Sequence, residues 1–214
     1  MDVRFEDGFK PTGHGDHELF AHIRNADRAN ANAYQQAAWR IQAGLGFAQS
    51  IDDFLDQHRS DTLVNVYGKT SIVRSVLQAE AGSKFFFDRM EDRDAFDPDK
   101  LADTWFVKFM YMLGRGVPKE KVAEIFENVR FIIFNYDRCV EHFLLNALKR
   151  LYNLSDQEAS SIIDDVTIIR PYGSVGSLKE VPFGASRANY LQLAQGIKTY
   201  TEQIEPVPEI CTGR

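Results

Sequence analysis

The fold prediction starts from one stretch, Arg130-Phe-Ile-Ile-Phe-Asn-Tyr-Asp-Arg-Cys-Val-Glu141. Phe131 to Phe134 form an uninterrupted apolar run, and polar residues follow it at once. A run this short predicts a strand that is buried on both faces, as in a parallel sheet. After Cys139 the apolar residues recur at helical spacing, which predicts a helix with one face packed on that sheet.

A second strand is predicted at Val166 to Ile169, and the connection from Phe134 is long enough for the crossover that a parallel pair requires. The carboxyl ends of parallel strands open at the same edge, where α/β sheets place their ligands. The residues after the two strands are Asn135-Tyr136-Asp137 and Tyr172-Gly173-Ser174. We therefore expect a binding site formed by these two segments.

These residues also carry a resemblance to a known family. Phe-Asn-Tyr-Asp before a Glu-bearing amphipathic helix, and a later strand that ends in Pro-Tyr-Gly-Ser, resemble the sirtuin-like domain of bacterial proteins. The likeness extends from Ser50 to Tyr200. It implies a helix-rich α/β fold, with a partial Rossmann-like parallel sheet surrounded by helices, and NAD as substrate or ligand. The resemblance further implies an NAD-binding domain that could hydrolyse NAD, of the sort that serves phage defence in bacterial relatives.

The resemblance assigns roles to the residues of the predicted site. In sirtuin-like enzymes the Asn of this motif contacts the nicotinamide ribose and orients a water, a role that falls to Asn135. Tyr172 stands where the family has its catalytic His, and Arg170 stands where the family has the preceding His. Asn135 and Tyr172 are thus the catalytic candidates, and the NAD-binding candidates are Asn135, Tyr136, Asp137, Gly173 and Ser174.

Catalysis would need a base, and the candidates for it are weak. An unperturbed phenol has a pKa of about 10, so Tyr172 is expected to donate a hydrogen bond and to do little more. Asp137 and Glu141 could accept a proton. However, their positions at the start of a helix favour a structural role, as a cap and as a charge at the positive end of the helix dipole.

Two family segments have no counterpart in this sequence. The family begins with a strand and a glycine-rich loop that approaches the phosphates of NAD, whereas Gly44-Leu-Gly46 follows a helical pattern. The family also continues beyond a helix like that predicted for Asn189 to Glu202 into another strand. Whether Met1 is the true start stays open. The alternatives are a non-catalytic nucleotide-sensing or protein-interaction module, and a truncated inactive fragment.

Composition limits the remaining classes. A chain of 214 residues predicts one domain over 1–214, divided into an irregular segment 1–15, a mainly helical part 16–128, a strand-helix-strand-helix core 129–204 and a tail 205–214. The net charge of −6 argues against nucleic acid or an anionic membrane as the partner. No apolar stretch has membrane-spanning length and no signal peptide is evident, so a cytoplasmic location is expected.

Neither the cysteines nor the histidines predict a metal site. Cys139 and Cys211 are the only cysteines and lack zinc-ligand spacing. His14, His17 and His22 lie close in sequence, but His17 and His22 do not share a helical face. The expected partner is a nucleotide, and a homo-oligomer or a covering segment from a longer chain is left open.

Several local signals predict where helices begin. Ser50 and Ser155 are N-cap candidates, each with an acidic residue three positions later. Asp97-Pro98 predicts the start of a helix that continues to Leu113, and this helix is apolar nearly all round, so it should be buried.

Overall fold

A computed structural model of the chain shows a helix-rich α/β fold. Residues 4–6, 10–12, 14–87, 96–185 and 188–199 are described, with side chains from residue 18 onward. The helices are α1 (His14–Ala26), α2 (Ala31–Gly44), α3 (Ile51–Gln57), α4 (Thr62–Ala81), α5 (Trp105–Gly114), α6 (Cys139–Tyr152), α7 (Asp156–Asp164) and α8 (Tyr190–Leu193). The strands are β1 (Arg4–Glu6), β2 (Lys10–Thr12), β3 (Arg130–Ile132) and β4 (Thr167–Ile169). Short 3₁₀ helices lie at Leu45–Phe47, Pro98–Leu101, Lys119–Glu124 and Ala194–Gly196.

Two compact units make up the chain. The first comprises Met1–Ser75 with Asn189–Arg214, and the second comprises Val76–Ala188. The prediction of a single domain over 1–214 stays a prediction. In neither unit does a described helix have the length and apolar character needed to cross a bilayer.

The first unit is built from helices. Side chains of α1 to α4 are buried within it, among them Leu19, Ile23, Ala37, Leu55 and Val73. The N-cap prediction for α3 is confirmed, since the Ser50 hydroxyl accepts a hydrogen bond of 3.1 Å from the Asp53 amide. In the segment predicted to be irregular, β1 and β2 pair in antiparallel orientation.

The second unit contains the predicted parallel pair of strands. Phe131 of β3 lies opposite Ile168 of β4 in a parallel register. The amide of Ile133 donates to the carbonyl of Ile169 at 2.9 Å, which extends the pairing past the last residue of β3. The prediction that the two strands are parallel neighbours is therefore confirmed.

The prediction that the central strand is buried on both faces is wrong. Successive side chains of a strand point to opposite faces. Phe131, Ile133 and Ile168 pack against the core of the second unit. Ile132 and Ile169, on the other face, are 62% and 50% exposed. The sheet therefore has one covered face and one open face.

The helix after β3 is amphipathic, as the sequence predicts. Val140, Phe143, Leu144 and Leu148 of α6 are buried in the core of the second unit. The next helix, α7, packs beside α6. Its predicted capping box is confirmed, because the Ser155 hydroxyl accepts from the Glu158 amide at 3.2 Å and Glu158 Oε2 accepts from the Ser155 amide at 2.8 Å. The Ser155 hydroxyl also donates to Glu158 Oε2 at 2.7 Å. This hydrogen bond, followed by that from the Ser155 amide, holds the pKa of Glu158 below its usual value.

Two helix predictions need correction. Asp97 caps only the 3₁₀ helix Pro98–Leu101, and α5 begins afresh at Trp105. Trp105 and Met112 of α5 are 52% and 79% exposed, so this helix is not buried all round. Because apolar residues lie nearly all round α5, their pattern does not predict which side of this helix packs against the core. A single helix is predicted for 189–202. The structure instead has the short helix α8, which ends at Leu193, followed by the 3₁₀ helix Ala194–Gly196. Residues 200–202 lie outside the described residues.

Candidate functional site

The candidate site is the edge at which β3 and β4 end. Asn135, Tyr136 and Asp137 follow β3, and Tyr172 follows β4. The Tyr172 ring lies 6.2 Å from the Phe134 ring and 6.3 Å from the Tyr136 ring, measured between centroids. The two predicted segments are thus brought together, because parallel strands end at the same edge.

Arg170 connects the two segments. Its Nη1 donates to the backbone carbonyl of Asn135 at 2.7 Å, and its Nη2 lies 2.7 Å from both carboxylate oxygens of Glu141. The Arg170 and Glu141 side chains are only 10% and 17% exposed. A charge-assisted contact of this kind holds its partners in a defined geometry. Arg170 therefore fixes the backbone at Asn135 relative to the end of β4 and to the first turn of α6.

The importance of this connection can be measured. We expect Glu141→Ala to lower the free energy of unfolding by about 2 kcal/mol, because the substitution removes charge-assisted hydrogen bonds that are largely shielded from water. Urea unfolding followed by circular dichroism measures the change. Asp103→Ala, which removes the exposed partner of Lys84, serves as control and should leave the stability unchanged. Equal effects of the two substitutions would contradict a structural role for the Arg170–Glu141 pair.

A tight turn presents Tyr172. The carbonyl of Arg170 accepts a hydrogen bond of 3.0 Å from the Gly173 amide, so Pro171 and Tyr172 occupy the centre of the turn. Gly173 has a φ of 81°, a backbone conformation that suits glycine and strains residues with a Cβ. Ser174 follows and is half-buried. The predicted binding residues Gly173 and Ser174 thus lie beside Tyr172.

The polar groups of Asn135 and Tyr172 are available to a ligand. The Asn135 side chain is exposed, whereas Tyr172 is half-buried against neighbouring rings. Within the described part of the chain, neither the Asn135 carboxamide nor the Tyr172 hydroxyl has a hydrogen-bond partner. A carboxamide both donates and accepts, and a phenol does the same, so together they can bind hydroxyl and amide groups.

The neighbouring ionisable groups have structural partners. Asp137 Oδ1 accepts from the amide of Cys139, the first residue of α6, at 3.1 Å, so it satisfies one free amide of the first turn, although the N-cap position of α6 is held by Arg138. Burial, and then the hydrogen bond to Asp137, raises the pKa of the Cys139 thiol well above its usual value. A thiol that stays protonated is a poor nucleophile. Glu141 is paired with Arg170. Among the described residues, this edge therefore offers groups that can orient a ligand, and both of its carboxylates have structural partners.

A buried ion pair next to this edge was missed by the sequence reasoning. Arg138 Nη2 lies 2.5 Å from Glu80 Oε2, and Arg138 Nε lies 3.0 Å from Glu80 Oε1. Both side chains are shielded from water, at 1% and 0% exposure. Helical spacing from Val73 and Leu77 puts Glu80 on the buried face of α4, which is the signal that could have identified it.

The Glu80–Arg138 pair also binds the loop that contains Val181 and Gly184. Arg138 Nη1 donates to the carbonyl of Val181 at 2.6 Å, and Glu80 Oε2 accepts from the amide of Gly184 at 3.0 Å. Gly184 has a φ of 66°, and a Cβ there would lie 2.9 Å from the Ala81 Cα, so glycine is required. The loop is therefore fixed to α4 and to the residue that immediately precedes α6.

Outside these contacts, the described residues contain no group of three or more His, Cys, Asp or Glu side chains that could hold a metal ion. Comparison of the chain with protein-family models, with curated proteins and with solved structures found no match.

Proposed function

We propose that this chain is a sirtuin-like, NAD-binding domain, and that Asn135 and Tyr172 contact the nicotinamide and its ribose. The observation that supports the proposal is the meeting of the two motifs at one edge of a parallel sheet, with Arg170 bonded to the Asn135 backbone. Ligands of α/β sheets bind at such an edge. The proposed partial Rossmann-like fold rests on the same pair of strands.

The donors and acceptors fit the nicotinamide half of NAD. Asn135 can bond a ribose hydroxyl or a water, and Tyr172 can donate to a second oxygen. In hydrolysis, water would attack the ribose carbon as the bond to nicotinamide breaks, which yields ADP-ribose, nicotinamide and a proton. Gly44 closes α2 and Gly46 lies in the 3₁₀ helix after it, so neither follows a strand as a phosphate-binding loop would. The proposal is accordingly confined to the nicotinamide half.

Calorimetry with NAD and a separate assay for NAD breakdown test this proposal. We expect NAD to bind, and we expect Asn135→Ala to weaken binding about tenfold, which corresponds to roughly 1.4 kcal/mol and hence to one lost hydrogen bond. Asn128→Ala, which removes another exposed Asn of the second unit, is the control and should bind NAD normally. Equal affinity of the two variants would remove Asn135 from the site. Equal turnover would remove it from the mechanism.

A second candidate function is a nucleotide-sensing module without catalysis. It is favoured by the structural partners of both neighbouring carboxylates, Asp137 and Glu141, because within the described part of the chain these engage the two candidates for a general base. Binding of NAD or ADP-ribose without turnover would support this module. Absence of binding for both nucleotides would contradict both functions and would leave the truncated inactive fragment as the interpretation.

A further inference from the structure

We propose that the second unit has a separate binding site for an uncharged planar aromatic molecule, in a cleft lined on one side by residues of the loop 178–185. The cleft has a volume of about 610 Å³. Small-molecule sites in proteins typically measure roughly 300–1,000 Å³ and are lined mainly by apolar and aromatic side chains with a few polar groups. Neither Asn135 nor Tyr172 is among the residues that line it, so it is distinct from the proposed NAD site.

The aromatic lining determines the ligand class. Phe86, Phe87, His142 and Phe183 all line the cleft. His142 stacks on Phe183 with centroids 4.0 Å apart and an angle of 11° between the ring planes. The stacked faces of this pair cover each other, so the cleft presents the edges of the pair together with Phe86 and Phe87. These rings favour a flat ligand, because edge-to-face and offset contacts add to the burial of apolar surface. His142 is held in place by the carbonyl of Phe85, at 3.1 Å from Nε2.

The charges at the cleft favour an uncharged ligand. Lys179 and Asp156 both line it. Lys179 is paired with Asp164, and Asp156 is paired with Lys149. Each charge is therefore offset by a neighbour, and recognition is left to the aromatic walls and to polar groups such as the Ser160 hydroxyl.

The cleft is formed before a ligand arrives. The loop that covers it is fixed by the buried Glu80–Arg138 pair, through the carbonyls of Val181 and Pro182 and the amide of Gly184. One side of the Phe86 ring packs closely on Gly184, since a Cβ at that position would lie 2.6 Å from the ring. A site whose walls are already ordered loses less entropy when a ligand binds.

Two neighbouring residues of α7 provide the test. Ser160 lines the cleft, whereas Ser161 is exposed to solvent. With the uncharged fluorescent probe phenylnaphthylamine, we expect saturable binding to the full chain. Ser160→Trp, which fills the cleft with an indole, should weaken the affinity at least tenfold. Ser161→Trp should leave it within about twofold. Near-ultraviolet circular dichroism confirms that both variants are folded, and equal affinity in the two folded variants would overturn the proposal.

Two further measurements separate this site from others. Anilinonaphthalene sulfonate carries a similar ring system with an added negative charge, and we expect it to bind no more tightly than the uncharged probe. Tighter binding of the sulfonate, lost in Lys179→Gln, would show that charge selects the ligand and would overturn the proposed class. Saturating NAD should not displace the uncharged probe. Displacement would show that the cleft belongs to a nucleotide site and would overturn the claim that it is separate.

Discussion

Replacement of Glu80 by Gln is expected to lower the free energy of unfolding by about 3–5 kcal/mol, the cost of leaving a buried charge without its partner. Both carboxylate oxygens are used, Oε1 by the amide and Nε of Arg138 and Oε2 by Arg138 Nη2 and the Gly184 amide. A carboxamide has an NH₂ group in place of one oxygen, so a donor would face donors. The Arg138 guanidinium would then be buried and unpaired.

Denaturant unfolding of the full chain measures this loss. Glu124→Gln, the same substitution at an exposed position of the same unit, is the control and should change the stability by less than about 0.5 kcal/mol. The double variant Glu80→Gln/Arg138→Met removes both charges of this pair. Its loss should be smaller than the sum of the single losses by about 1–3 kcal/mol, because the two residues interact directly. Additive losses would show that the pair is not coupled as the structure describes.

Leu148→Ala is expected to lower the free energy of unfolding by about 2–5 kcal/mol, the sum of lost apolar burial and the cavity that remains. Leu148 is 0% exposed in the core of the second unit. Leu151, one turn along the same helix, is 57% exposed. The same substitution there is expected to cost less than about 1 kcal/mol. The two leucines differ in burial and have the same side chain, so the comparison isolates the core contribution.

Calorimetric or urea-induced unfolding of the two leucine variants gives the difference. A loss at Leu151 as large as that at Leu148 would mean that the outer face of α6 is covered in solution. That result would contradict the exposure of this face in the structure.

The sequence predicted the order of strands and helices around β3 and β4 better than it predicted what packs against them. The apolar run at Phe131, the helical stripe that begins at Val140 and the second apolar run at Ile168 were sufficient to predict two parallel strands joined by a helical connection. These signals work because strand and helix periodicity depend on neighbours in the chain. The pattern could not show that only one face of the sheet would be covered, because coverage depends on how many elements pack there.

The candidate site shows the same limit. The sequence placed Asn135 and Tyr172 at one edge, and the pairing of β3 with β4 brings their segments together. It left open what Arg170 does. The structure bonds Arg170 to Glu141 and to the Asn135 backbone, contacts that join residues 29 and 35 positions apart. No local pattern encodes a contact at that separation.

Short-range signals in the chain were enough to specify the caps at Ser50 and Ser155 and the strand-helix order around Asn135, because a cap bonds its own backbone three residues away. Only the tertiary structure pairs Arg138 with Glu80, which lie 58 positions apart in the chain. It also leaves Ile132 exposed and forms the cleft lined by the loop 178–185. These features depend on which side chains are shielded from water together, and shielding is a property of the assembled core.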